Sequence, residues 1–396
     1  MVRAIAALMV LGAHAYLLGG SAIGSRLDTS PDMLAIWNLS SGVWLFFCLS
    51  GYLVPRAFLA ALIDGSPLPS ASSYLVRRAV RILPAYWIAF FAMDVLVFRG
   101  VPIHWWQYLV HLTLVQNQVP GEGMNLFYVA WTLGIEAMFY LAIPLGAYAV
   151  RRVHRGPIDV GRLGAMVLGL WALSLIWVLW AAHAYPNIGA DFAVHDADVF
   201  RYNLPPMLSM FCPGMLVFLA ESPQAAERGG PWAAYRWVIR RPWLALSIAA
   251  AFIVAAAYAF ASTSTEVFDM SKELWAVSAG LIVATALQGW AWLRPIARVL
   301  APIGVISYGV YLWHWVAEQA LAHHWDPLKH AGFGPWLVHV AMLLAVALPA
   351  GALSWILVER PLLRRTSDWA RRRRAASELI APDAAPTPAP RRPPRA

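Results

Sequence analysis

The chain has 396 residues, 60% hydrophobic and only 13% charged, which excludes a water-facing globular domain and points to a polytopic membrane protein. The formal charge is +9 and 28 of the 30 basic residues are Arg; in a membrane protein the positive-inside bias accounts for that excess without nucleic acid. Cys48 and Cys212 sit in apolar runs, and two such cysteines give neither a disulfide framework nor a zinc spacing, so no metal is expected.

In chain order, segments 3–20, 37–62, 82–98, 127–150, 163–182, 204–220, 242–261, 274–292, 302–322 and 335–358 are long and apolar enough to predict an all-α transmembrane bundle of about ten spanning helices. The first has an n-region Arg but no convincing small-residue cleavage site after it, and more spans follow, so it is expected to stay as a span rather than leave as a signal peptide. Residues 103–118, IHWWQYLVHLTLVQNQ, are apolar too. If they crossed, every later connection would change sides, so they are predicted to be interfacial or re-entrant. Of the 30 basic residues, 25 fall in alternate connections and at the termini, and Arg26, Arg99, Arg201, Lys272 and Lys329 stand singly in the others. That alternation predicts both termini cytoplasmic, even with the far tail discounted. After Pro361 the chain turns basic (RRTSDWARRRR) and then, over 381–396, Pro- and Ala-rich. The expected organisation is a membrane domain, 1–362, and a cytoplasmic tail, 363–396, that first touches anionic headgroups and then is disordered.

Ionisable groups at bilayer depth cost several kcal/mol and each needs a reason. At about 1.5 Å per residue, His14 falls roughly 16 Å beyond Arg3, Asp94 roughly 18 Å into the third span, Glu136 roughly 14 Å into the fourth and His314 roughly 18 Å into the ninth. Four titratable groups from four helices are thereby predicted near one layer. Eleven residues turn a helix through three turns and about 20°, so Arg3 and His14 share a face. Plainer readings stand beside these. A histidine in a span often only bonds a neighbouring helix, Asp94 has His14 or an Arg as a candidate ion-pair partner, and Arg77, Arg78 and Arg81 serve topology.

Six motifs, in order, resemble the acyltransferase 3 family of integral membrane O-acyltransferases over roughly residues 3–361. They are RAIAALMVLGAHA (an Arg-x10-His first span), GVWLFFCLSGYL, RRAVRILPAYW, LTLVQN followed by WTLGIEAMFYLAIPL, ISYGVYLWH and ERPLL. Family members usually begin LDGLRG, where this chain has Met1-Val2-Arg3, and some carry a C-terminal extracytoplasmic hydrolase-like domain that this sequence does not contain. The resemblance implies transfer of an acyl group, commonly acetyl, from cytoplasmic acyl-CoA to a hydroxyl of a glycan, a lipid-linked sugar or a secondary metabolite, in a bacterial inner membrane. Acyl-CoA is then a co-substrate, with no tightly bound cofactor. On this view Arg3, Arg77, Arg78 and Arg81 clamp the CoA phosphates. His14 is general base or covalent acyl carrier, with Glu136 or Asp94 orienting it. His314 serves the oxyanion or the acceptor, and Trp131, Tyr140, Ser307 and Tyr311 line the pocket. The competing reading is a transporter or proton-coupled flippase for a glycan or lipid, since intramembrane His and carboxylates also make proton relays; no inverted repeat or paired broken half-helices favour it.

Overall fold

Caps set where several helices begin, and hydropathy alone misplaces them. In the computed structural model, which describes residues 1–16, 31–185, 198–260, 262, 264–324, 333–366 and 368, the third span does not start at 82. Ser70 accepts a bond from the Ser73 amide and starts the helix at Ala71. Likewise Ser264 caps a helix that begins at Thr265 rather than 274. Asn203 accepts from the Leu204 amide, ahead of a Pro-Pro step suited to a first turn.

The helices are α1 (Val2–Ala15), α2 (Pro31–Asn38), α3 (Gly42–Leu53), α4 (Arg56–Asp64), α5 (Ala71–Leu96), α6 (Trp105–Leu112), α7 (Trp131–Val153), α8 (Val160–Ala184), α9 (Asp198–Arg201), α10 (Leu204–Ala220), α11 (Pro223–Ala226), α12 (Pro231–Ile239), α13 (Pro242–Phe260), α14 (Thr265–Leu287), α15 (Leu293–His324) and α16 (Phe333–Ser354). A π-helical turn, Trp355–Glu359, continues α16. Among the described residues there is no strand, and nine helical runs are long and apolar enough to cross a membrane. The tenth predicted span is α1, whose 14 described residues reach about 21 Å; the rest of that segment, 17–20, and the predicted tail after 368 lie outside the described residues.

Residues 103–118 form no helix long enough to cross. α6 has eight residues, about 12 Å, and is fastened to α5 by Tyr86 and Trp87, which donate to the carbonyls of His111 and Leu112. The following turn then locks onto α7. Gln116 donates to the Ala130 carbonyl at 2.8 Å and Asn117 to that of Trp131 at 3.0 Å. A Cβ on Gly134 would overlap the Asn117 amide, so the LTLVQN and WTLGIE motifs are two halves of one joint.

α1 runs among α3, α15 and α16. Buried Ala4, Ala6 and Ala7 let its neighbours approach, and its free C-terminal carbonyls are met from α16: Trp336 donates to Gly12 at 2.7 Å, and His339 bonds Ala15 at 3.2 Å. The closest crossing is α3 on α10, where a Cβ on Gly51 or Gly214 would run into the facing backbone.

Candidate active site

α15 holds one side of the site. Ser307, Tyr311, His314 and Glu318 are spaced four, three and four residues apart and fall on one helical face. α1 lies along that face in the same direction. Arg3 Nε donates to Ser307 Oγ at 3.2 Å, and eleven residues later His14 Nδ1 stands 2.9 Å from His314 Nε2.

The second contact fixes protons. The Val310 carbonyl lies 3.3 Å from His314 Nδ1. A carbonyl only accepts, so His314 carries its hydrogen on Nδ1 and presents a lone pair at Nε2. His14 must then donate from its own Nδ1, which leaves a lone pair on His14 Nε2. A backbone carbonyl and one imidazole thus hold the other imidazole in the tautomer a base requires.

Two cavities lie beside these helices, and His14 lines the second. The first, about 310 Å³, is lined by Arg3, Arg78 and Arg81 together with Glu136, Tyr140 and Ser307. Ser50, on α3 beside the Gly51 crossing, donates to Glu136. The Arg78 guanidinium lies 5.4 Å from the Tyr140 ring centre and 5.6 Å from that of Tyr74, within cation–π range. Glu359, at the end of the π turn, accepts from Ser354 at 3.1 Å and interacts electrostatically with Arg81 and Arg3. A surface groove of about 630 Å³ shares Leu53, Val54, Arg78 and Arg81 with this cavity and adds Arg56 and Arg77.

The second cavity, about 100 Å³, is lined by His14, Lys272 and the rings of Trp44, Tyr128, Trp131 and Tyr202. Lys272 pairs with Asp269 at 2.9 Å, and Asp269 also binds Arg201 at 3.2 Å. Arg201 and Lys272 therefore sit in buried ion pairs rather than in loops. Val43 and Tyr311 line both cavities, so they form the partition. Tyr311 donates to the Val129 carbonyl at 2.9 Å and stands 2.7 Å from Thr132 Oγ1.

The structure brings together most of the residues singled out in the sequence, but not in one layer. Arg3, Arg78, Arg81, Glu136, Tyr140 and Ser307 face the first cavity, His14 and Trp131 the second, and Tyr311 both. Arg77 lines the groove. Asp94 lines neither cavity. Because α5 starts at Ala71, Asp94 lies two residues from its C-terminal end, where it accepts a bond from Tyr108 at 2.9 Å; its expected pairing with His14 is not found. Glu136 does not touch His14 either. Among the described residues, the carboxylate nearest to His14 is Glu318, with Oε2 3.8 Å from Nδ1. Glu318, and Glu359 of the ERPLL motif, are not among the site residues expected from the sequence because each lies close to the end of its apolar run, although the VAEQ stretch keeps the helical spacing from His314.

The fold is that of a multi-pass membrane protein whose arginines, histidine and carboxylate face two cavities sharing the Val43–Tyr311 wall. Residues 1–355 match the model of the acyltransferase domain family known as acyltransferase 3, and the chain belongs to that family. It is 28% identical to Nodulation protein 10 of Rhizobium leguminosarum bv. viciae, over 94% of this chain and 95% of that protein. Acyltransferase MdmB of Streptomyces mycarofaciens is also 28% identical, over 98% and 95%. The peptidoglycan O-acetyltransferase OatA of Listeria monocytogenes is 24% identical, over 69% of this chain and 44% of its own length. No solved structure matches the chain.

Proposed function

We propose that this multi-pass protein moves an acyl group, acetyl in the simplest case, from cytoplasmic acyl-CoA to a hydroxyl of an envelope glycan or secondary metabolite. The arginine groove faces the cytoplasm, as the arginine alternation predicts, and both termini lie on that side. There Arg56, Arg77, Arg78 and Arg81 offer forked donors to the CoA phosphates. The pantetheine arm enters the first cavity past Arg3 and brings the thioester to the Tyr311 partition. The acceptor occupies the aromatic second cavity, with its hydroxyl toward His14.

His14 Nε2 takes the hydroxyl proton as the oxygen attacks the thioester carbon. Both ring nitrogens of His314 are engaged, with His14 and with Val310. Its role in this reading is to fix the tautomer of His14, and the hydroxyls of Thr132 and Tyr311, turned toward the Val129 carbonyl, hold the partition in place. The observation that carries the proposal is the oriented His14–His314–Val310 chain, one side chain's thickness from an arginine cavity. A peptidoglycan O-acetyltransferase among the relatives supports a glycan acceptor.

The test incubates membranes containing the protein with acetyl-CoA, then measures free CoA and acyl mass shifts on envelope glycans. Coupled CoA release and glycan acylation are expected. Intact thioester beside glycan translocation would instead show a flippase.

A further inference from the structure

Other buried or half-buried carboxylates of the bundle have partners. Glu136 accepts from Ser50, Glu359 from Ser354, and Glu273 from Trp171 and Ser209, while Asp269 pairs with Arg201 and Lys272. Glu318 is different. It is 1% exposed, and its Oε2 has no hydrogen-bond partner. What that oxygen faces is His14 Nδ1, 3.8 Å away. A carboxylate so buried is costly unless a positive charge arrives beside it.

We propose that Glu318 is a positioning residue for acyl transfer, a counter-charge held for the imidazolium that forms on His14. This rests on His14 acting as the base. The acceptor oxygen forms its bond to the thioester carbon as its proton passes to His14 Nε2. The carbon–sulfur bond breaks, and the departing thiolate takes that proton from His14 to become the free CoA thiol. Between the two transfers His14 holds protons on both nitrogens. Its positive charge lies between His314 Nε2, at 2.9 Å, and Glu318 Oε2, at 3.8 Å. The other titratable or charged groups around the ring are Tyr128 from the turn before α7, Tyr311 from α15, Lys272 from α14 and His339 from α16. Lys272 is engaged with Asp269 and His339 with the Ala15 carbonyl. Glu318 is thus the carboxylate that answers His14 among the described residues.

Diethyl pyrocarbonate modifies neutral imidazole, so its rate on the His14 peptide of the full chain, read by mass spectrometry against pH, reports the protonation of that ring without any acceptor. Glu318→Gln keeps the shape and removes the charge. Without the counter-charge, neutral imidazole persists to lower pH, and the modification midpoint is expected to fall by about one pH unit. In membranes, acetyl-CoA turnover is expected to fall about tenfold with KM for acetyl-CoA held within about twofold. Glu318→Asp should recover part of both effects. An unmoved midpoint in both variants, or turnover within about twofold of wild type, overturns the assignment. Should the wild-type protein leave acetyl-CoA intact, the acyltransfer reading fails separately, and the midpoint still decides whether Glu318 sets the basicity of His14.

Discussion

The two cavities are neighbours with opposite chemistry. One gathers Arg3, Arg78 and Arg81 around a single carboxylate, Glu136, and is contiguous with a groove holding two further arginines. The other has aromatic walls, a lysine already engaged with Asp269, and a histidine held in a base-competent tautomer. Guanidinium forks suit polyanions and bind them in the ground state. A neutral imidazole contributes chiefly as a proton moves. The contrast implies that substitutions on the arginine side weaken donor binding, and those on the histidine side slow chemistry.

The largest effect is expected from His14→Gln. Loss of a general base lowers the transfer rate by about 100-fold or more while acyl-CoA affinity stays within about twofold, as steady-state kinetics and equilibrium binding would show. An equal loss of affinity would mean the cavities are not separate sites. Next comes Arg78→Gln with Arg81→Gln. KM for acyl-CoA should rise about tenfold with the saturated rate little changed, and the wild-type KM should itself rise with salt. Tyr311→Phe removes the partition's hydroxyl but not its bulk, and a three- to tenfold lower kcat, about 1 kcal/mol, is expected with both substrates still bound. Asp94→Asn should change turnover least, within about twofold, because the carboxylate lies outside both cavities.

The fate of Asp94 shows where sequence reasoning stops. Apolar length marks a membrane helix reliably, since every backbone group in lipid must be paired within the segment. The nine long helices and the shorter α1 followed from it, whereas the non-crossing reading of 103–118 came from the alternation of arginines. Helix ends obey local caps instead, and starting the third span at 82 rather than at the Ser70 cap placed Asp94 mid-membrane on paper. His14, Glu136 and His314 were visible because an ionisable group inside an apolar run is anomalous. Glu318 sits four residues beyond His314, within the predicted 302–322 span but where the run loosens toward polar sequence, so a carboxylate there is less anomalous. The assignment of groups to two cavities, rather than one layer, depends on helix rotation and on the Gly51–Gly214 crossing. Neither can be read from one chain's hydropathy.

The most direct test is CoA release by purified protein in lipid nanodiscs, supplied with acetyl-CoA and an envelope glycan fraction, compared between wild type and His14→Gln. The prediction is free CoA in step with glycan acylation for wild type, and loss of both in the variant while it still binds acetyl-CoA. Undiminished CoA release by His14→Gln, or an intact thioester with wild-type protein, would contradict it.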